Sequence, residues 1–356
     1  MDALESAMMF GTSTRLLPLF AVASFGVGAV CVGCGPTSAT PGPVIPVGGD
    51  AQASSPSATE LARLVSLDGT TTELLYALGL GDRLVGRDGA SIYPPAVESV
   101  RRLGTGHDVS AEAVYSVNPT LVLMTESPRR SALLEQLRGG GVPVVSIVPA
   151  ATPAEALARF RQLGDTLGVA ARAEELARSI ERDLASLASM REDARREGTE
   201  PTSPATHSIA SPRVLPLYLR GAQHQFILGR GHALLELVEL AGGVPALPEV
   251  GTHQALNREA LIASQPDVLI VLKRGLDSVG GLSALLALEG IDLTPAGQRR
   301  RVIVLDDGLV SFGPRFARAA LELNTALLAT HGPSWILEDT TGLAPLHRGE
   351  EPQPRD

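Results

Sequence analysis

The sequence predicts an α/β chain of two Rossmann-like lobes joined by one long helix, with a ligand cleft between the lobes. Three observations lead there. Short apolar strands alternate with helices from residue 63 to residue 330, the pattern of parallel pairing. The segment 169–197 carries Val169, Ala173, Leu176, Ile180, Leu184, Leu187 and Met190 in steps of three and four, one apolar stripe on a 3.6-residue helix. Ser110-Ala-Glu-Ala-Val114 with Asn118-Pro119 and a following strand recurs as Asn257-Arg-Glu-Ala-Leu261 with Gln265-Pro266. Glu112 and Glu259, Ala113 and Ala260, and Pro119 and Pro266 all stand 147 residues apart.

The elements follow in order. Residues 63–67 read as a strand, and the turn Asp68-Gly-Thr-Thr-Thr72 can cap a helix over 73–78 that Gly79 ends. A strand at 84–86, a Pro-containing loop with Tyr93, and a loop Gly104-Thr-Gly-His107 come next. Ser110 caps a helix over 111–117, Asn118-Pro119 turns the chain into a strand at 121–124, and 131–138 is helical. Residues 142–148 form a buried strand, and Thr152 caps a helix over 153–167. The linking helix, 169–197, spans roughly 40 Å at about 1.5 Å per residue. Glu174 with Arg178 and Glu192 with Arg196 support it at i,i+4. After a loop at 198–212 the plan repeats. Strands at 214–219, 268–272 and 301–305 alternate with helices at 232–240, 258–264, 282–288 and 314–330, and 221–231 holds a loop and a short strand. The expected division is an N-terminal lobe at 61–168 and a C-terminal lobe at 213–332.

The ends read differently. Arg15 precedes the apolar run 16–32, the length of a signal-peptide core, which stops at small residues. Cys31 and Cys34, the chain's two cysteines, have CxxC spacing but no βαβ context. Residues 1–34 are therefore expected to be an export segment, a plain secretory signal or an uncleaved anchor being the alternatives to a lipid-anchored one. Residues 35–60, rich in Pro, Gly, Ser and Thr, read as a flexible tether, and 333–356 as a disordered tail.

A net charge of −9 argues against nucleic acid as a partner. Lys273 is the only lysine among 30 basic residues. No GxxxxGK[ST], HExxH or GxSxG is present, and Gly229-Arg-Gly231 lacks the third glycine of a dinucleotide loop. What remains is a set of polar side chains where strands end, the place open α/β sheets bind ligands. They are Tyr93, His107, Tyr218, Arg220, His224, His232, His253, Lys273, Arg274 and Arg315.

At these residues the chain is similar to the substrate-binding proteins of bacterial haem ABC importers. The motifs are Thr72-Glu-Leu-Leu-Tyr-Ala-Leu-Gly79, Gly106-His-Asp-Val-Ser-Ala-Glu112, Tyr218-Leu-Arg-Gly221, Gly275-Leu-Asp-Ser-Val-Gly-Gly281 and Ser311-Phe-Gly-Pro-Arg315. The resemblance implies the class III periplasmic-binding-protein architecture, haem b as the transported ligand, and a membrane permease with its ATPase as partners. It implies a monomer outside the cytoplasm with no reaction of its own. Val32-Gly33-Cys34 resembles a bacterial lipoprotein cleavage box, which makes Cys34 the lipid-carrying residue. The resemblance also implies axial ligands to the haem iron: His107 and Tyr218, with Arg220 supporting the phenolate, or Tyr93, which precedes a proline as in Gram-negative members. A hard ferric iron suits an anionic phenolate. Lys273, Arg274 and Arg315 are the candidate propionate cations, and Glu135 and Glu236 the candidate permease contacts. The same fold with a cobalamin or ferric-siderophore cargo, a haem-passing lipoprotein, and an exported α/β enzyme using the cleft stand as alternatives.

Overall fold

The computed structural model describes residues 44–47, 61–105, 108–197, 211–221, 223–329 and 335–337. In chain order the first half contains β1 (Val44–Val47), β2 (Leu64–Ser66), α1 (Gly69–Ala77), β3 (Leu84–Arg87), α2 (Ala111–Tyr115), β4 (Leu121–Thr125), α3 (Ser131–Gly139), β5 (Val144–Ile147) and α4 (Pro153–Thr166). The linking helix is α5 (Ala170–Glu197). The second half contains β6 (Arg213–Arg220), β7 (His224–Leu228), α6 (Ala233–Leu240), β8 (Val244–Pro245), β9 (His253–Ala255), α7 (Arg258–Ser264) and β10 (Val268–Leu272). It continues with α8 (Lys273–Ser278), α9 (Leu282–Leu286), α10 (Pro295–Gln298), β11 (Val302–Leu305), α11 (Phe316–Leu328) and β12 (Trp335–Leu337).

Five parallel strands order as β1-β5-β4-β2-β3. The second sheet orders as β12-β11-β10-β6-β7-β9, with β8 against β6. It is parallel except where β7 runs antiparallel to β6 and β9. The strands β4, β5, β10 and β11 are Val, Ile and Leu runs buried almost throughout, as parallel strands covered on both faces must be.

The helix starts are chemically specified. Asp68, Ser110, Thr152 and Asn257 each accept the backbone N–H three residues on, at 2.8, 3.1, 3.2 and 2.7 Å. Each therefore satisfies one of the four N–H groups that a helix start leaves without a partner. The repeat is conformational as well. Asn118 and Gln265, 147 residues apart, both hold positive φ (46° and 40°) immediately before a proline.

The long helix serves both cores. Ala173, Ala177 and Ile180 are buried with Leu74, Phe160 and Leu163 of the first half. Leu187, two turns on, is buried with Val214, Leu237 and Leu323 of the second. Met190, last of the stripe, is 39 % exposed. An arginine fastens the helix to each half: Arg172 Nη1 donates to the Leu78 carbonyl and Arg191 Nη1 to the Leu240 carbonyl, both at 2.9 Å. These carbonyls lie at the C-termini of α1 and α6, where a cation is favoured. Phe312, Phe316 and Ala317 join the first-half core from the other side of the cleft, so the apolar interior is continuous between the halves.

Two expectations about the ends need correction. The segment expected as a bare tether contains β1, which pairs with β5 from Val44↔Val144 to Val47↔Ile147. The segment expected as a disordered tail contains β12, which pairs with β11. In both cases a short apolar run covers a sheet edge whose N–H and C=O groups would otherwise stand open. The export segment with Cys34, and most of the 198–212 loop, lie outside the described residues. Among the described residues no helix is long and apolar enough to cross a membrane.

Candidate functional site

The cleft is built where strand ends of the two halves face each other. Its floor is a junction between the segments that follow β2, β3 and β11. Thr70 and Ser311 share a hydroxyl–hydroxyl hydrogen bond. Arg315, at the start of α11, reaches across to Glu73 of α1 with a two-pronged contact: Nε to Oε2 at 3.0 Å and Nη2 to Oε1 at 2.7 Å. The same Nη2 donates to Asp306 Oδ1 at 2.9 Å. The Arg315 and Glu73 side chains are buried, 9 % and 5 % exposed. Burial pushes the Glu73 carboxyl above its usual range, and Arg315 brings part of that back. Burial also works against the Arg315 charge, but Glu73 and Asp306 more than restore it and hold the guanidinium above its ordinary value. Tyr93, joined to Pro94 by a cis peptide, lies under this guanidinium, with Arg315 Cζ 3.7 Å from the ring centroid.

Arg315, expected from the sequence as a candidate propionate cation, is buried in this junction. Its donors face two carboxylates and its plane faces a tyrosine. The cause is Glu73, 242 residues earlier, a partner that no local pattern announces.

Behind the junction lies a cavity of about 400 Å³. Its first-half wall includes Asp68, Arg130, Arg159 and Phe160; its second-half wall includes Asp307 and Phe312. Arg130 is engaged with Asp88 at 3.1 Å and with the Leu67 carbonyl. Burial raises the pKa of Asp88, against the hydrogen bonds from Ser91 and Arg130. Asp307 accepts the Arg274 backbone N–H at 3.1 Å, and burial raises its pKa despite that contact. None of the described site residues expected from the sequence lines this cavity.

Tyr218 and Arg220 sit at the carboxyl end of β6, side by side on one face, as the strand alternation requires. Tyr218 is 36 % exposed. Among the described residues neither side chain has a hydrogen-bond partner, and no bond joins the two. The antiparallel neighbours extend this face: Phe226 pairs with Tyr218 and His224 with Arg220. His253 of β9 meets the Phe226 ring edge-on, centroids 5.7 Å apart. One ribbon thus gathers a phenol, a guanidinium, two imidazoles and a phenyl ring. His232 stands apart as the cap of α6; its Nδ1 accepts the Leu234 N–H at 3.2 Å, and burial, then His253, lowers its pKa. Lys273 and Arg274 open α8 and are exposed. His107 lies outside the described residues.

Among the described residues no group of three or more His, Cys, Asp or Glu side chains is arranged to hold a bare metal ion. Asp68, Arg130, Arg159 and Asp307 were not singled out in the sequence. Asp68 was legible only as a cap, and Arg159 lies in the helix expected over 153–167 without a pattern that marks it.

Comparison with known proteins adds a family match, a solved structure and two curated relatives. The family described as periplasmic binding protein matches residues 64–309. The solved structure of the periplasmic heme-binding protein RhuT from Roseiflexus sp. RS-1, in apo form, is 38% identical, covers 75% of this chain and 97% of its own, and superposes with a TM-score of 0.66. Among curated relatives, an uncharacterized ABC transporter substrate-binding lipoprotein, YvrC of Bacillus subtilis, is 34% identical over 127 residues, 35% of this chain. That match spans only 40% of YvrC. The vitamin B12-binding protein of Photorhabdus laumondii is 25% identical over 270 residues, 73% of this chain and 86% of that protein.

Proposed function

Because the chain belongs to the periplasmic binding protein family, we propose that it captures haem outside the cytoplasm and delivers it to a membrane ABC importer. The observation that carries this reading is the exposed, unpartnered Tyr218 phenol at the carboxyl end of β6, with Arg220 beside it on the same face. A phenolate is the hard anionic donor ferric iron favours, and a neighbouring cation stabilises it. The likeness to RhuT over almost all of its length supports the cargo.

In this reading Tyr218 supplies one axial bond and His107 the other, and Tyr93 is the alternative first-half ligand. Lys273 and Arg274, exposed at the start of α8, face the propionates. Arg315 serves the junction instead. The protein binds and releases without a reaction of its own, as a monomer held by Cys34 to a membrane, and its partners are a permease and an ATPase. The long helix, fastened to both cores, keeps domain motion small.

The test is a hemin titration of the purified full chain followed by absorption. A saturable Soret shift in wild type that is lost in Tyr218→Phe supports the reading. A shift lost only in Tyr93→Phe moves the ligand to the first half, and no shift in wild type rejects haem. The likeness to the vitamin B12-binding protein favours a second reading, a cobalamin cargo in the same cleft.

A further inference from the structure

Tyr93 is held from the opposite half. Its half-buried ring belongs to the loop after β3, whereas the guanidinium on its face belongs to Arg315 at the start of α11. The distance of 3.7 Å from Arg315 Cζ to the ring centroid is van der Waals contact, well inside the roughly 6 Å over which a ring attracts a cation. Other contacts fix the plane of that guanidinium. Nε and Nη2 fork onto the Glu73 carboxylate, and Nη2 also donates to Asp306. Gly308 packs close: a Cβ there would lie 2.5 Å from Arg315 Nη2 and 2.9 Å from Asp306 Oδ1. A lysine in the same place would carry the charge without the plane or the fork. The surface offered to Tyr93 is thus set by Glu73 and Asp306, through Arg315.

These contacts make one small unit out of both halves. Thr70, Glu73 and Tyr93 come from the first half; Asp306, Gly308, Ser311 and Arg315 come from the second. The fork to Glu73 and the stack on Tyr93 therefore exist together only while the halves are closed. Such a hydrogen bond is lost beyond about 3.5 Å, so an opening of about 1 Å at this point breaks the fork and frees the plane. The motion that the long helix permits is small, and this contact needs no more.

We infer that Arg315 is a positioning residue for the cargo: it seats the Tyr93 ring in the first-half wall while the junction is closed, so that parting the halves loosens Tyr93 and the macrocycle with it. Arg315 acts through Tyr93 and needs no contact with the cargo. The inference takes the cargo from the haem reading above, and it holds whether Tyr93 binds the iron or lies against the ring. It gives a permease a way to unload the protein by a small displacement at one spot.

The first measurement needs no haem. The chain has four tyrosines, Tyr76, Tyr93, Tyr115 and Tyr218, and meta-fluorotyrosine labels them all for fluorine NMR of the full chain. Tyr93→Phe identifies the Tyr93 signal. Arg315→Lys keeps the charge and Glu73→Gln keeps the shape of the carboxylate, so both are milder than removal of either side chain. Each is expected to shift or broaden the Tyr93 signal while those of Tyr115 and Tyr218 stay in place. A Tyr93 signal unmoved in both variants, or equal movement of all the signals, overturns the inference, since a merely structural role does not single out Tyr93. The second measurement is a double-mutant cycle of hemin affinity, by equilibrium dialysis of wild type, Tyr93→Ala, Arg315→Lys and the pair. Arg315→Lys is expected to weaken binding about tenfold when Tyr93 is present and less than about twofold in the Tyr93→Ala background. Equal losses in the two backgrounds overturn the inference and leave the haem reading standing. No hemin binding by wild type rejects the haem reading, and the NMR signals then decide alone whether Arg315 seats Tyr93.

Discussion

Replacing Arg315 by methionine removes a side chain that ties the halves through charge. The structure sets the scale. Glu73 and Arg315 are 5 % and 9 % exposed, and two hydrogen bonds of 2.7 and 3.0 Å join them. Breaking a buried pair from one side leaves the other charge uncompensated, at a cost of about 3–5 kcal/mol. The loss should depend on pH in a defined direction. Burial already raises the Glu73 pKa in the folded protein, and Arg315 opposes that rise. Without Arg315 the folded value climbs further above the unfolded one. The folded variant then binds more protons than its unfolded chain between the two values, so its stability falls as pH rises through that interval. The deficit relative to wild type is therefore largest at neutral pH and shrinks under acid conditions, where Glu73 is neutral in the variant. Urea unfolding of both proteins at pH 7.5 and pH 5 measures this. A deficit under about 1 kcal/mol at pH 7.5, or one that grows on acidification, refutes a buried, charged pair at this junction.

Other outcomes are equally specific. A Cβ on Gly308 would lie 2.5 Å from both Arg315 Nη2 and Glu73 Oε1. Gly308→Ala should cost about 1–3 kcal/mol by overpacking, and much less in the Arg315→Met background, a coupling that a double-mutant cycle of unfolding midpoints reads directly. Phe316 is fully buried in the core shared by both halves, so Phe316→Ala should cost about 3–5 kcal/mol in the same assay. The His232 pKa is lowered from its ordinary 6.5 by burial and by His253. The unfolded chain then binds the extra proton first, so stability present at neutral pH is lost as pH falls through 6.5 towards the folded value. His232→Asn keeps a good cap and removes that loss, so the variant's melting temperature should gain on wild type between pH 7.5 and 5.5.

Much of the architecture was legible because it rests on local chemistry. The four caps, the apolar stripe of α5 and the proline turns at Asn118 and Gln265 are fixed within a few residues of sequence. The shared face of Tyr218 and Arg220 follows from strand alternation alone. What was not legible depends on contacts between distant residues. Arg315 looks like any strand-end cation until Glu73 is brought to it across the cleft. Val44–Val47 and Trp335–Leu337 have meaning as strands only once β5 and β11 present open edges to them. Asp68 and Arg159 each satisfy a simple helical reading. Their significance comes from a cavity whose walls are contributed by segments over 230 residues apart, from Asp68 to Phe312.

The most direct test of haem capture is to grow crystals of the full chain with hemin and locate the iron by anomalous diffraction at its absorption edge. The iron is expected between the carboxyl ends of the two sheets, in bonding distance of the Tyr218 oxygen or, in the alternative geometry, of Tyr93. An anomalous peak on the outer surface of α5, or a filled cleft with no iron near either phenol, would contradict it.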